Sequence, residues 1–184
     1  MLDFQYWKID KQFRPNHLKE YISNNPGLSQ KDINEYIETI WTGTEFPETN
    51  IETWDWLFSY YQPAHNLTDP ITVYRGTSPF NKRMWSWTTD KSVALWFAKR
   101  NYGFLDLAFK GTKQTVKSPP ALLLKGVIHP KGILFTSNDR EESEVIISGQ
   151  NYWLEMPEVI QQVNTLLHSR EEHDKSMSNL KETA

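Results

Sequence analysis

Three short stretches hold the residues of this chain that are equipped for chemistry: Val73-Tyr74-Arg75-Gly76, Ser86-Trp87-Thr88-Thr89, and Arg140-Glu141-Glu142-Ser143-Glu144-Val145-Ile146-Ile147. An arginine presents several N–H donors in a planar fork, the shape that clamps phosphate or carboxylate groups. A carboxylate fixed in a partly dry site stabilises positive charge that develops beside it. Strand alternation places Glu142 and Glu144 on one face with Ser143 opposite. Two neighbouring carboxylates repel, so a solvated acidic run is their bland reading. Glu144, however, leads straight into the apolar Val145-Ile146-Ile147, at the mouth of a buried strand. Arg75 taken alone reads as a surface arginine paired with an acid, and Ser86 and Thr88 read as hydroxyls satisfying backbone at a strand end. Each stretch is weak by itself, and the ordered set is the signal.

The elements that must position these residues follow from local patterning. Ser29 with Asp32 three residues on forms an N-cap for a helix through Ile33, Tyr36, Ile37, Ile40 and Trp41, which Gly43 ends. A second helix over 51–61 places Trp54, Leu57, Phe58 and Tyr61 on one side and stops at Pro63. These aromatics read as core. Ile71-Thr72-Val73-Tyr74 is a β-rich run, so Arg75 is expected at a strand end, with Gly76 where the backbone needs freedom. Thr89, Asp90 and Ser92 open a helix with Val93, Ala94, Phe97 and Ala98, closed by Lys99 and Arg100, and the small Ala94 and Ala98 let it lie close against a sheet. Residues 103–120 are irregular, with a loop or hairpin tip at 111–115. The apolar runs 121–128, 132–135 and 145–147 read as central strands. A final helix is expected over 157–168, with Pro157 in its first turn and Val159, Ile160, Val163, Leu166 and Leu167 facing inward. The tail 171–184 has few apolar anchors and reads as flexible.

Together and in this order, the three stretches resemble the arginine, serine-threonine-serine and E-x-E signatures of mono-ADP-ribosyltransferases of the arginine-serine-glutamate class, which transfer ADP-ribose from NAD to a target. The segment after Thr89, with Ala94, Phe97 and Ala98, also resembles bacterial and phage members. The resemblance implies that Arg75 binds the NAD phosphates and supports the nicotinamide side. It implies that Ser86 braces Glu144 and the nicotinamide pocket, and that Glu144 holds a ribose hydroxyl and stabilises the oxocarbenium ion. Glu142 would position or deprotonate the acceptor, with Glu141 as the alternative if the register slips. Gly76, Thr88 and Phe97 join the expected NAD-binding set, and Trp85, Trp87 and Tyr102 are candidates to stack on a base. The motif departs from the family's usual form at Trp87 and Thr88. The implied reaction is an SN1-like transfer to a macromolecule, most directly a protein arginine, with nicotinamide released and no metal required. A glycohydrolase, a transferase acting on nucleic acid, and an inactive NAD-binding or inhibitory module remain open as alternatives. The implied architecture is α+β, with two facing antiparallel-rich sheets forming an NAD cleft. One domain over 1–170 is expected, with a helical part (1–68), a motif-bearing sheet core (69–150) and the helix over 157–168.

Composition bounds the setting. The length of 184 residues suits one domain with a real core. A formal charge of −3, from 20 basic and 23 acidic residues, gives no overall attraction to nucleic acid or an anionic membrane. With no cysteine, disulfides, thiolate catalysis and Cys-based zinc sites are excluded. The five histidines show no ligand spacing. No Walker loop, G-x-G-x-x-G or G-x-S-x-G occurs. The start lacks a basic segment followed by an apolar core, and no apolar run approaches the roughly 20 residues that span a bilayer. The expected setting is the cytosol of a bacterium or of a phage-infected cell. The acceptor's identity and the oligomeric state are not legible.

Overall fold

A computed structural model of the chain describes residues 5–44, 47–63, 65–80, 85–110, 118–138, 142–147 and 157–164. Three helices come first: α1 (Arg14–Asn24), α2 (Gln30–Thr42) and α3 (Ile51–Tyr60). The ends of α2 follow the local signals, since Ser29 Oγ accepts from Asp32 N at 3.2 Å and Gly43 is the C-cap. Leu18 and Ile22 of α1, Tyr36, Ile37, Ile40 and Trp41 of α2, and Trp54, Leu57 and Phe58 of α3 are buried together. Spacings of three and four residues put each set on one helical face. Tyr61 closes this layer, packing on Phe135 with ring centroids 5.1 Å apart and donating its hydroxyl to Glu38 Oε1.

Burial first, and then the bond and charge of Glu38, push the Tyr61 phenol above its ordinary pKa. A raised value means that the folded chain favours the neutral phenol. Its stabilising contribution is therefore complete below the unfolded tyrosine's pKa of about 10 and is lost as pH rises beyond it. The urea midpoint of the wild type is thus expected to fall between pH 8 and 11 more steeply than that of Tyr61→Phe. Parallel slopes for the two proteins would mean that the fold does not hold the Tyr61 phenol in its neutral form.

The strands are β1 (Ile71–Thr77), β2 (Ser86–Thr88), β3 (Ala121–Ile128), β4 (Ile133–Ser137), β5 (Glu144–Ile147) and β6 (Glu158–Val163). They form one antiparallel sheet in the order β4-β5-β2-β1-β3-β6. The class is α+β. In place of two separate facing sheets, the described strands make two three-stranded halves of one sheet. A single residue pair, Tyr74 with Thr88, joins them. Within the halves the ladders are longer: β1 pairs with β3 from Ile71–Ile128 through Thr77–Leu122, and β2 runs beside β5 over its whole length. A shared core gathers Val73, Leu124 and Ile128 from one half with Trp87, Val145, Ile147 and Ile133 from the other.

Helix α4 (Lys91–Lys110) lies against β1. Asp90 caps it, its Oδ1 accepting from Ser92 N at 2.7 Å and Val93 N at 3.4 Å. The helix does not end near Arg100 as expected. Arg100 lies over the rings of Trp96 and Phe104, at 5.6 and 5.5 Å, contacts one turn to either side that favour a helix continuing across Gly103. A mid-helix glycine costs only about 1 kcal/mol relative to alanine, too little to end a supported helix.

The expected C-terminal helix is corrected as well, because residues 158–163 form a strand. Val159, Ile160 and Val163 are β-branched, and β6 pairs with β3 from Ala121–Val163 to Lys125–Glu158 through a register shift at Leu123/Leu124. The free edge of β3 offers a full ladder of partners, which outweighs a weak helical pattern. The loop 111–115, the remainder of the expected helix at 165–168 and the tail from 171 lie outside the described residues. No helix among the described residues is long and apolar enough to cross a membrane.

Candidate active site

The three stretches converge where the halves of the sheet meet. In an antiparallel pair that begins at Tyr74 and Thr88, Arg75 would next face Trp87 and Gly76 would face Ser86. The ladder between these strands stops at the Tyr74–Thr88 pair. The Arg75 guanidinium links the two strands beyond that pair, with Nη1 donating to the Ser86 carbonyl oxygen. Arg75 thus lies inside β1 and not at its end, and it ties the two halves together where the ladder stops.

Ser86 links this joint to the carboxylate. Its backbone receives Arg75, while its Oγ donates to Glu144 Oε1 at 2.5 Å across 58 residues of sequence. Register explains the meeting: Ser86 pairs with Ile146 and Thr88 with Glu144, so Ser86 and Glu144 lie on one face of adjacent strands as diagonal neighbours. Arg75, Ser86 and Glu144 are all half-buried, the environment in which a fixed charge acts with little screening.

Glu142 is positioned differently from the sequence expectation. Strand β5 begins at Glu144, and Ser143 has a φ of 45°, in the left-handed region. Strand alternation therefore does not relate the two glutamates. A non-glycine residue in that region costs on the order of 1–3 kcal/mol, and here the surroundings hold it. Ser143 O accepts from Thr89 N at 3.2 Å, and Ser143 Oγ lies 3.4 Å from Asn138 Oδ1. Thr88 is buried, and its Oγ1 donates to Glu142 O at 2.7 Å and accepts from Asp90 N at 3.0 Å. One hydroxyl thereby couples the glutamate segment to the start of α4. Glu141 lies outside the described residues.

Gly76 is required for a steric reason. A Cβ at this position would lie 1.9 Å from Ala94 O, 2.2 Å from Ala98 N and 2.9 Å from Phe97 C. The expected close approach of Ala94 and Ala98 to the sheet is real, and Gly76 is the strand residue that admits them. Asn101 Nδ2 donates to Gly76 O at 3.2 Å and fastens the helix to the strand. The half-buried Phe97 packs its ring edge-on to Trp96 with centroids 4.8 Å apart, while its backbone covers Gly76. Of the stacking candidates, Trp85 and Trp87 are buried core residues, and Tyr102 packs beside Ala98, Ala121 and Val163.

One neighbour of the carboxylate was not singled out from sequence. Trp41, on α2, points its indole N–H at Glu144 Oε1 from 3.4 Å, across 103 residues. The only available signal was the abundance of tryptophan, eight in all, which does not say which ring reaches a carboxylate.

Beside this cluster lies a groove of about 430 Å³ between α2 and the end of β4, lined by Glu35, Glu38, Thr42, Ser137 and Asn138 among others. It is continuous with the glutamate segment, since Ser137 pairs with Glu144 and Asn138 meets Ser143. Comparison with protein-family models, curated proteins and solved structures finds no match to this chain.

Proposed function

We propose that the chain is an NAD-dependent mono-ADP-ribosyltransferase that moves ADP-ribose to an arginine of a protein and releases nicotinamide. The observation that carries the reading is the convergence on Ser86, whose carbonyl takes Arg75 and whose hydroxyl holds Glu144 at 2.5 Å. NAD supplies an anionic pyrophosphate and a ribose that becomes cationic on cleavage. An arginine and a carboxylate braced by one serine suit both demands. The finer architecture, two sheet halves flanking an NAD cleft, belongs to this reading, with the cleft placed where the β1–β2 ladder stops, beside Arg75 and Ser86.

In this mechanism the bond from the anomeric carbon to the nicotinamide nitrogen breaks, and its electron pair leaves with nicotinamide. The Glu144 carboxylate stabilises the positive charge left on the anomeric carbon and ring oxygen. A guanidine nitrogen of the acceptor attacks that carbon, and its proton passes to Glu142 or to water. The groove beside Glu144, with Glu35 and Glu38 in its lining, gives a cationic acceptor a complementary approach. The reading carries an intracellular setting, the cytosol of a bacterium or of a phage-infected cell.

The test is incubation of the purified protein with adenylate-labelled NAD and a bacterial lysate, followed by protease or nuclease digestion of separate samples. Protease-sensitive label on a discrete acceptor is expected. Nuclease-sensitive label would replace the protein acceptor by nucleic acid. Nicotinamide release without attached label would make the chain a glycohydrolase, and NAD binding without turnover an inactive module. Arg75→Lys is expected to raise KM for NAD by about tenfold or more, because a point charge cannot reproduce the planar fork. A Lys variant with wild-type KM would remove Arg75 from NAD recognition.

A further inference from the structure

We infer that Trp41 is a positioning residue that fixes the orientation of the Glu144 carboxylate from the helical layer. The inference rests on the reading of Glu144 as the carboxylate that faces the developing cation. Trp41 is 5% exposed and is held by three rings, Trp54, Phe58 and Trp85, with centroids 4.8, 5.2 and 6.2 Å away. Its plane is thus set before any ligand arrives. An indole N–H can only donate, and this one points at the same oxygen, Oε1, that takes the Ser86 hydroxyl.

The two donors reach Oε1 from different layers, one from the sheet and one from α2. A single donor fixes where a carboxylate oxygen sits but leaves the group free to turn about that contact. A second donor from another direction restricts the turn. At 3.4 Å the indole contact is long, as hydrogen bonds at catalytic groups commonly are before substrate is in place. Burial within the cluster does not itself demand an acceptor, because Trp54 Nε1 is buried in the same cluster with no hydrogen-bond partner among the described residues. The Trp41 contact is therefore a specific link from the helical layer to the reactive group.

Trp41→Phe keeps an aromatic ring and removes the donor. The expected result is a fall of about tenfold in kcat for nicotinamide release, the factor set by losing one hydrogen bond to a charged group, with KM for NAD unchanged. A variant that melts lower but keeps the wild-type kcat per folded molecule would reduce Trp41 to packing and overturn the inference. A second measurement does not depend on the variant's folding or on turnover. In the ¹⁵N-labelled wild type the Trp41 indole N–H resonance should move as Glu144 titrates, and Glu144→Gln should shift it and abolish that titration. A resonance indifferent to both would overturn the inference even if the enzyme is active. A titrating resonance in a protein that releases no nicotinamide would uphold the contact and defeat the transferase reading alone.

Discussion

Glu144→Gln is expected to lower nicotinamide release from NAD by about 10²–10³-fold or more, the loss seen when one preorganised electrostatic contact to a transition state is removed. The substitution keeps the size of the side chain and an oxygen able to accept from Ser86 Oγ, so the sheet joint and the fold should survive. In the proposed mechanism, what disappears is the negative charge that would lie beside the anomeric carbon. Because that charge matters most when the ribose becomes cationic, kcat should fall much further than affinity for NAD. Steady-state kinetics beside a thermal melt will separate the two. A variant that melts like the wild type and releases nicotinamide at the same rate would deprive Glu144 of its assigned role.

Gly76→Ala is expected to be the most destabilising single methyl in the site. The added carbon would meet Ala94 O at 1.9 Å and Ala98 N at 2.2 Å, and both are backbone atoms of α4 that no rotamer change can move. Ala94 and Ala98 are themselves fully buried, so α4 has to lift from β1 as a body. Overpacking of a core by extra carbons typically costs about 1–3 kcal/mol, and backbone clashes belong at the upper end or beyond. At this chain length each kcal/mol lowers the melting temperature by roughly 2–4 °C. The consequence should reach the chemistry too, because Asp90 at the start of α4 is bonded to Thr88 Oγ1, which holds Glu142 O. Differential scanning calorimetry and kinetics at low temperature should find both stability and turnover reduced. An unchanged melting temperature would mean that α4 does not rest on Gly76.

Features dictated by contiguous residues were legible in the sequence. The Ser29 cap, the Gly43 stop and the apolar face of α2 lie within one short segment and appear as expected. The Asp90 start of α4 and strands β3 and β4 were equally local. What escaped is set by contacts distant in sequence. Val159, Ile160 and Val163 fit a helix and a strand alike, and only the edge of β3 decides between them. Helix α4 runs on past Arg100, whose guanidinium lies over rings one turn to either side.

The same division runs through the site. The resemblance carried by the three ordered stretches singled out Arg75, Ser86 and Glu144, and strand register with the Arg75–Ser86 bond brings them together. Spacing alone could not reveal that β5 starts at Glu144 or that Ser143 turns left-handed, because both follow from pairing with β2 and bonding to Thr89. Nor could it show Arg75 tying together a sheet whose halves share one residue pair, or Trp41 reaching Glu144 from the helical layer.

If this cluster breaks the bond between nicotinamide and ribose, the purified chain must release nicotinamide from NAD. The most direct measurement is the time course of nicotinamide release from NAD by the purified, folded chain, with and without bacterial lysate, beside Glu144→Gln. Release by the wild type that disappears in the variant is the predicted result. No release by the folded wild type under either condition, or equal release by both proteins, would mean that Glu144 does not serve NAD cleavage.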